Sequence, residues 1–209
     1  MVDHDRLIEK LSREARPVKR PWSDGWRVLA WILMALPCGV LGSLLVQRVA
    51  TDWSVSGAWH AVLQLVLTFV MGVMAIRNAF LLSIAGRKPL GWRWFVPLIL
   101  LWLVGALSSF GVTPVQAHAA DEANCFAFMM TVSTPMMLLV IGYLRRTRAL
   151  YPLRTLAAAG AGVACMALTL LYFCHPVDIH PMDFLLHLAA VITIVSATIV
   201  LGWRLVVIS

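Results

Sequence analysis

Apolar residues in this chain come in long, almost unbroken runs, without the alternation of a half-buried strand or the narrow stripe of a soluble helix. Six runs approach or exceed the roughly 20 residues that a helix needs to cross a bilayer. They cover Trp26–Val46, His60–Ile84, Trp92–Phe110, Phe126–Leu144, Pro152–Phe173 and Phe184–Ile208. The predicted fold class is therefore all-α: an integral membrane bundle of six transmembrane helices over residues 26–209. Residues 1–25 form a short, polar N-terminal segment ahead of it.

That segment carries its own pattern. Leu7, Ile8, Leu11 and Ala15 fall on one face of a helix, Glu9 can pair with Arg13 and Glu14 with Lys10, and Pro17 ends the periodicity. PVKRP then reads as an extended link into the first run. A helix this short is marginal alone and needs a surface to fold against. Anionic lipid and the groove of a partner protein serve equally well.

Composition agrees with the runs. Of 209 residues, 61% are apolar and 13% charged, against about 25% charged in an average soluble domain. The formal charge of +7 would suit nucleic acid, but its placement argues otherwise. Arg6, Lys10, Arg13, Arg16, Lys19, Arg20 and Arg27 precede or open the first run. Arg87, Lys88 and Arg93 lie between the second and third, and Arg145, Arg146, Arg148 and Arg154 between the fourth and fifth. The alternate connections carry only Arg48. This bias puts both termini in the cytoplasm and predicts no direct nucleic-acid contact. The first run, preceded by a long polar stretch and lacking a small-residue cleavage site, reads as an uncleaved anchor.

Inside the runs, Gly39 with Ser43 and Ala158 with Gly162 have small-xxx-small spacing, which favours close helix packing. Cys38 and Cys165 read as small apolar side chains. Met71, Met74, Met129, Met130, Met136 and Met137 are expected to face lipid, and Arg77 to reach for the headgroups beside Asn78. Pro135 should kink its helix, with Ser133 and Thr134 near the freed carbonyls. Trp53, Trp59, Trp92 and Trp94 fall at the expected interfaces.

Candidate chemistry gathers on the outer face. The loop from Val112 to Asn124 holds His118, Asp121 and Glu122 and ends at Cys125, where the fourth run enters the membrane. The fifth run ends at Cys174, which opens CHPVDIHPMDFLLH, with His175, Asp178, His180, Asp183 and His187. Two cysteines at one depth on an oxidising face invite a disulfide. Closing such a loop is worth about 4 kcal/mol in a chain-entropy estimate, too much for a chain whose unfolded form is still confined to spanning helices. On the residues alone, a permanent staple stands level with a bond that opens or thiols that capture metal or oxidant. His175, His180, Asp183 and His187 can supply metal or tuning ligands, with Asp183 and His187 on one helix face. Their spacing matches no established zinc motif. Enzyme readings find no C-x-x-C pair, G-x-S-x-G, H-E-x-x-H or phosphate loop, so no catalytic residue and no resident cofactor are expected. Transport lacks paired midplane charges and an internal repeat.

Three stretches together carry a family resemblance: LIEKLSREARPVKRP before the first run, ANCFAFMMTVSTPMMLLVIGYLRR around the fourth, and YFCHPVDIHPMDFLLHL after the fifth. In their order and spacing the chain resembles the NrsF family, negative regulators of sigma F that are six-helix inner-membrane anti-sigma factors. The resemblance implies that the N-terminal segment holds an extracytoplasmic-function sigma factor at the membrane, through positions Leu7, Ile8, Leu11, Pro17 and Val18. It also implies that Cys125 and Cys174 sense metal or oxidative stress, with a transient heavy-metal ion as the only non-protein component, and that His187 stands where the family tends to have a histidine. The competing expectation is a membrane thiol–disulfide or metal-binding protein without a sigma-factor partner.

Overall fold

In the computed structural model, the described residues are 2–14, 22–46, 50–54, 58–84, 86–108, 119–147, 149–174 and 181–207. They form α1 (Val2–Glu14), α2 (Asp24–Ser43), α3 (Ala58–Leu82), α4 (Phe95–Ser108), α5 (Ala119–Arg145), α6 (Pro152–Leu171) and α7 (Pro181–Val207). A 3-10 turn over Trp92–Trp94 leads into α4. Among these residues there is no strand. Helices α2, α3, α5, α6 and α7 are each long and apolar enough to cross a membrane, which marks a multi-pass membrane protein. Helix α4 is apolar but short: with its leading turn it runs only from Trp92 to Ser108.

The bundle is built around α6, which packs on α3, α7, α5 and α2. Its middle, AAAGAGVACMA, explains that position. Glycine and alanine let neighbouring backbones approach where longer side chains would hold them off. Gly160 and Gly162 point to opposite neighbours. A methyl group on Gly162 would meet Ile76 of α3, its amide nitrogen 3.0 Å away, and one on Gly160 would lie 2.9 Å from the Cα of Val195 on α7. Larger side chains fill the space between these contacts: Ile76, Phe80, Leu156, Met166 and Ile194 are all buried. Leu33, Leu41, Val104, Leu188, Ile192 and Val200 are exposed on the outside of α2, α4 and α7. Hydrocarbon suits such a surface; water does not.

Helix α2 lies against α5, and both are interrupted by proline. A methyl on Gly39 would run into Met136 and Val132 of α5, so that glycine sets the approach of the two helices. Ser43, four residues on, is buried and donates to its own helix at the carbonyl of Val40, 2.7 Å. Pro135 deprives the Thr131 carbonyl of its helical donor. Ser133 and Thr134 both donate to the carbonyl of Met130, at 3.2 and 2.7 Å. The freed Thr131 oxygen instead faces Gly42, whose absent Cβ would sit 3.4 Å from it.

Three expectations change. Met129, Met136, Met137 and Met71 are buried in the core, not turned to lipid. The unbranched thioether fits the irregular gaps left by a small-residue central helix better than a branched side chain does. Second, α5 starts at Ala119, six residues before the expected edge of the loop at Cys125. The sequence AADEAN, rich in helix-forming alanine and glutamate, simply continues the helix. Third, the run beginning at Trp92 opens as a 3-10 turn. Arg77 is exposed on α3, and its neighbour Asn78 accepts the Leu90 N–H at 2.9 Å, which ties down the connection to α4.

Candidate functional site

The helix directions sort the chemistry to two ends of the bundle. At one end stand the start of α5, the end of α6 and the start of α7; this is the cysteine end. Cys125 lies in the second turn of α5 and Cys174 three residues past α6. Both are half-buried and both are thiols in the structure. The helices that carry them are neighbours.

The backbone around Cys174 is firmly held. The last carbonyls of any helix lack intrahelical donors, and the connection after α2 supplies them here. The Thr51 N–H donates to the carbonyl of Phe173 at 3.2 Å and its hydroxyl to that of Tyr172 at 2.8 Å. The rings of Trp53 and Phe173 meet edge to face, centroids 6.0 Å apart. The Cys174 N–H closes a last turn on Leu171 at 2.8 Å.

Behind this cap lies a polar seam between α3, α4 and α6. The Tyr172 hydroxyl reaches Trp102 and Thr68, although the indole N–H of Trp102 has no well-aligned acceptor. Thr68 is fully buried and donates to the Gln64 carbonyl at 2.7 Å, while the Gln64 amide donates to the carbonyl of Trp102 at 2.9 Å. Trp102 also stacks on Phe184 of α7, centroids 6.1 Å apart. The end of α6 that presents Cys174 is thus tied to the connection after α2 and, through Tyr172, to α3 and α4.

Asp183 and His187 sit in the first two turns of α7, half-buried and one turn apart, at the same end. His175, Asp178, His180 and His118 lie outside the described residues. Among the described residues no group of three or more His, Cys, Asp or Glu side chains stands close enough to hold a metal ion.

Helix α1 carries the residues of the expected stripe on its surface. Leu7, Ile8 and Leu11 are 54%, 64% and 58% exposed, and residues 4–14 are exposed throughout. Arg13 pairs with Glu9 at 2.7 Å on the polar flank. Ala15, Pro17 and Val18 lie outside the described residues.

The opposite end holds a constellation that sequence reasoning missed. Arg27, counted there among the basic residues that set topology, is buried, with 2% exposure. Its Nε donates to the Tyr143 hydroxyl of α5 at 3.0 Å and its Nη2 to the Ser83 hydroxyl at 3.5 Å. The guanidinium lies 5.1 Å from the Phe80 ring centroid and 5.3 Å from that of Tyr143. Asp24, the first residue of α2, accepts from Arg87 at 3.1 Å and stands 4.0 Å from Arg27. An available signal was the spacing: Asp24 and Arg27 share a face of α2, and a planar cation beside aromatic rings is a common way to hold a buried charge.

Comparison with protein-family models, with curated proteins and with solved structures returns no match for this chain.

Proposed function

We propose that this chain is a membrane-bound anti-sigma factor of the inner membrane. It would hold an extracytoplasmic-function sigma factor through its cytoplasmic N-terminal segment and release it when Cys125 and Cys174, on the periplasmic side, meet a heavy metal or an oxidant. In this reading α4 completes a set of six spans, both termini are cytoplasmic, and the protein catalyses nothing. The observation that carries the proposal is the bare apolar stripe of Leu7, Ile8 and Leu11 on α1, attached ahead of a bundle that has two half-buried thiols, Cys125 and Cys174, at its other end. The arrangement of basic residues in the alternate connections supports a cytoplasmic position for that stripe.

Release requires two bundle states that bind the sigma factor with different affinity. A tenfold change needs only about 1.4 kcal/mol of difference between them. Helix α5 offers a direct route, because it runs from Cys125 to Tyr143, a rise of about 27 Å at 1.5 Å per residue. It meets Arg27 at the root of the N-terminal segment.

The test is recruitment. Co-expressed with the sigma factor, the chain should bring it to membranes, and the double substitution Leu7→Asp, Leu11→Asp should leave it soluble. Undiminished recruitment by that variant refutes the docking role. Replacing Cys125 and Cys174 with serine should abolish release by cadmium or diamide while recruitment persists. An unchanged response refutes the sensor.

A further inference from the structure

The guanidinium of Arg27 is surrounded by groups from three helices: Tyr143 from α5, Phe80 of α3 with Ser83 just past its end, and Asp24 of its own α2. It sits four residues after Ser23, where the N-terminal segment joins the bundle. Arginine suits the position because one planar group can donate in several directions while its face lies on a ring. Phe80 and Tyr143 pack together as its floor, ring centroids 4.7 Å apart. The Ser83 hydroxyl is itself fixed by donating to the Phe80 carbonyl at 2.8 Å.

Yet the constellation is not closed. Arg27 Nη1 and Asp24 Oδ1 are both buried, and neither has a hydrogen-bond partner. They face each other at 4.0 Å, about 1 Å beyond a charge-assisted hydrogen bond. A buried donor and acceptor left unmade in this way favour any small movement that would join them. Asp24 is meanwhile drawn outward by the half-exposed Arg87. Nε serves Tyr143 and Nη1 faces Asp24. Because the guanidinium is rigid and planar, a turn that brings Nη1 onto Asp24 shifts Nε against the Tyr143 hydroxyl, which gives the group two sets of bonds. In the observed set it bonds Tyr143, and Asp24 turns to Arg87. In the other it closes on Asp24 and lets the α5 hydroxyl go.

We propose that Arg27 is the positioning residue through which α5 controls the root of the N-terminal segment. A displacement at the Tyr143 end of α5 exchanges the Arg27–Tyr143 bond for an Arg27–Asp24 pair and re-aims the first turn of α2. This deepens the anti-sigma reading, on which it rests for what the segment binds and for the thiols as the input that moves α5.

The experiment is amide hydrogen exchange on the full chain in lipid nanodiscs, with the cysteines reduced and after diamide. Exchange is followed over residues 22–30, with sigma-factor capture measured on the same preparations. In the unsubstituted protein, exchange at the root should differ between the two conditions by about 5-fold or more, the low end of usual coupling between sites. Tyr143→Phe, which keeps the ring and removes the hydroxyl, should erase most of that difference, and so should Arg27→Lys. Unchanged protection over α6 shows in each case that the bundle is intact. Arg27→Met, with the charge gone, serves the same comparison if the lysine variant unfolds.

A full difference retained by both Tyr143→Phe and Arg27→Lys overturns the proposal. So does an unsubstituted protein whose root does not respond to diamide. If the root responds through Tyr143 but no sigma factor is captured, the positioning role stands and the anti-sigma reading falls.

Discussion

Replacing Gly160 with alanine tests the central helix directly. The added methyl would lie 2.9 Å from the Cα of Val195 and 3.1 and 3.2 Å from the Cβ and Oγ1 of Thr198. The first neighbour is backbone, so no change of rotamer clears it. Restoring ordinary contact at about 3.5–4.0 Å means pushing α7 away by roughly 0.6 Å or more. Thr198 cannot yield freely, because it is buried and its hydroxyl is committed to the Ile194 carbonyl at 2.7 Å. Overpacking of this kind costs about 1–3 kcal/mol, a fall of about 5- to 150-fold in the folded-to-unfolded ratio. Gly142→Ala on α5 is the matched control, since no heavy atom lies within 4 Å of the methyl it would add. In water that exchange would gain up to about 1 kcal/mol from helix propensity. A membrane chain whose unfolded form keeps its helices should gain less, leaving the variant neutral or slightly stabilised. Reversible unfolding by SDS in mixed micelles, followed by tryptophan fluorescence, measures both. Equal costs at the two glycines, or a Gly160→Ala protein as stable as its parent, would refute the close α6–α7 approach.

Two other outcomes follow from the polar groups. Gly105→Ala should be destabilising, because the new methyl would run into the amide of Gln64. In a Gln64→Ala background the same change should be tolerated, and a double-mutant cycle should return about 0.5–3 kcal/mol of coupling; additive effects would show that the two positions do not meet. Asp52, fully exposed, has its carboxyl held below its ordinary value by the Ser54 hydroxyl and then by the Ser54 N–H, which donate at 2.6 and 2.9 Å. A lowered folded value favours the carboxylate, so this turn is held most firmly above the ordinary carboxylate range and loosens as pH falls through the lowered value. Ser54→Ala should move the Asp52 titration upward, towards the ordinary range, as read by carboxyl carbon chemical shifts. An unmoved titration would show that the turn is not formed.

Long apolar runs were readable because a span needs length above all, and the edges of α2, α3, α6 and α7 fall within three residues of the runs that predicted them. Where the reading failed, it lacked partners. Hydropathy cannot tell a methionine that faces lipid from one that faces another helix, since both surroundings are apolar; Met129 and Met136 went astray for that reason. Arg27 looked like another charge of the cytoplasmic border because its companions, Ser83 and Tyr143, lie 56 and 116 residues away in sequence. The start of α5 was misjudged because Asp121 and Glu122 lower the local hydropathy without breaking a helix. Glycine spacing was more informative: Gly39 and Gly162 were singled out as packing positions, and each lies against a neighbouring helix. Cys125 and Cys174 were both assigned to one end of the bundle, and their helices do run that way.

The two interrupted helices have a mechanical consequence. Pro37 and Pro135 each remove one rung from the ladder of backbone hydrogen bonds, and they do so in α2 and α5, which lie side by side. Helices α3, α6 and α7 carry no such gap beyond their first turns and interlock through glycine. The molecule is accordingly stiff on one side and compliant on the other. Bending along the α2–α5 seam deforms fewer bonds than any motion of the glycine-locked helices, and the chain that leads out to α1 hangs from the compliant side.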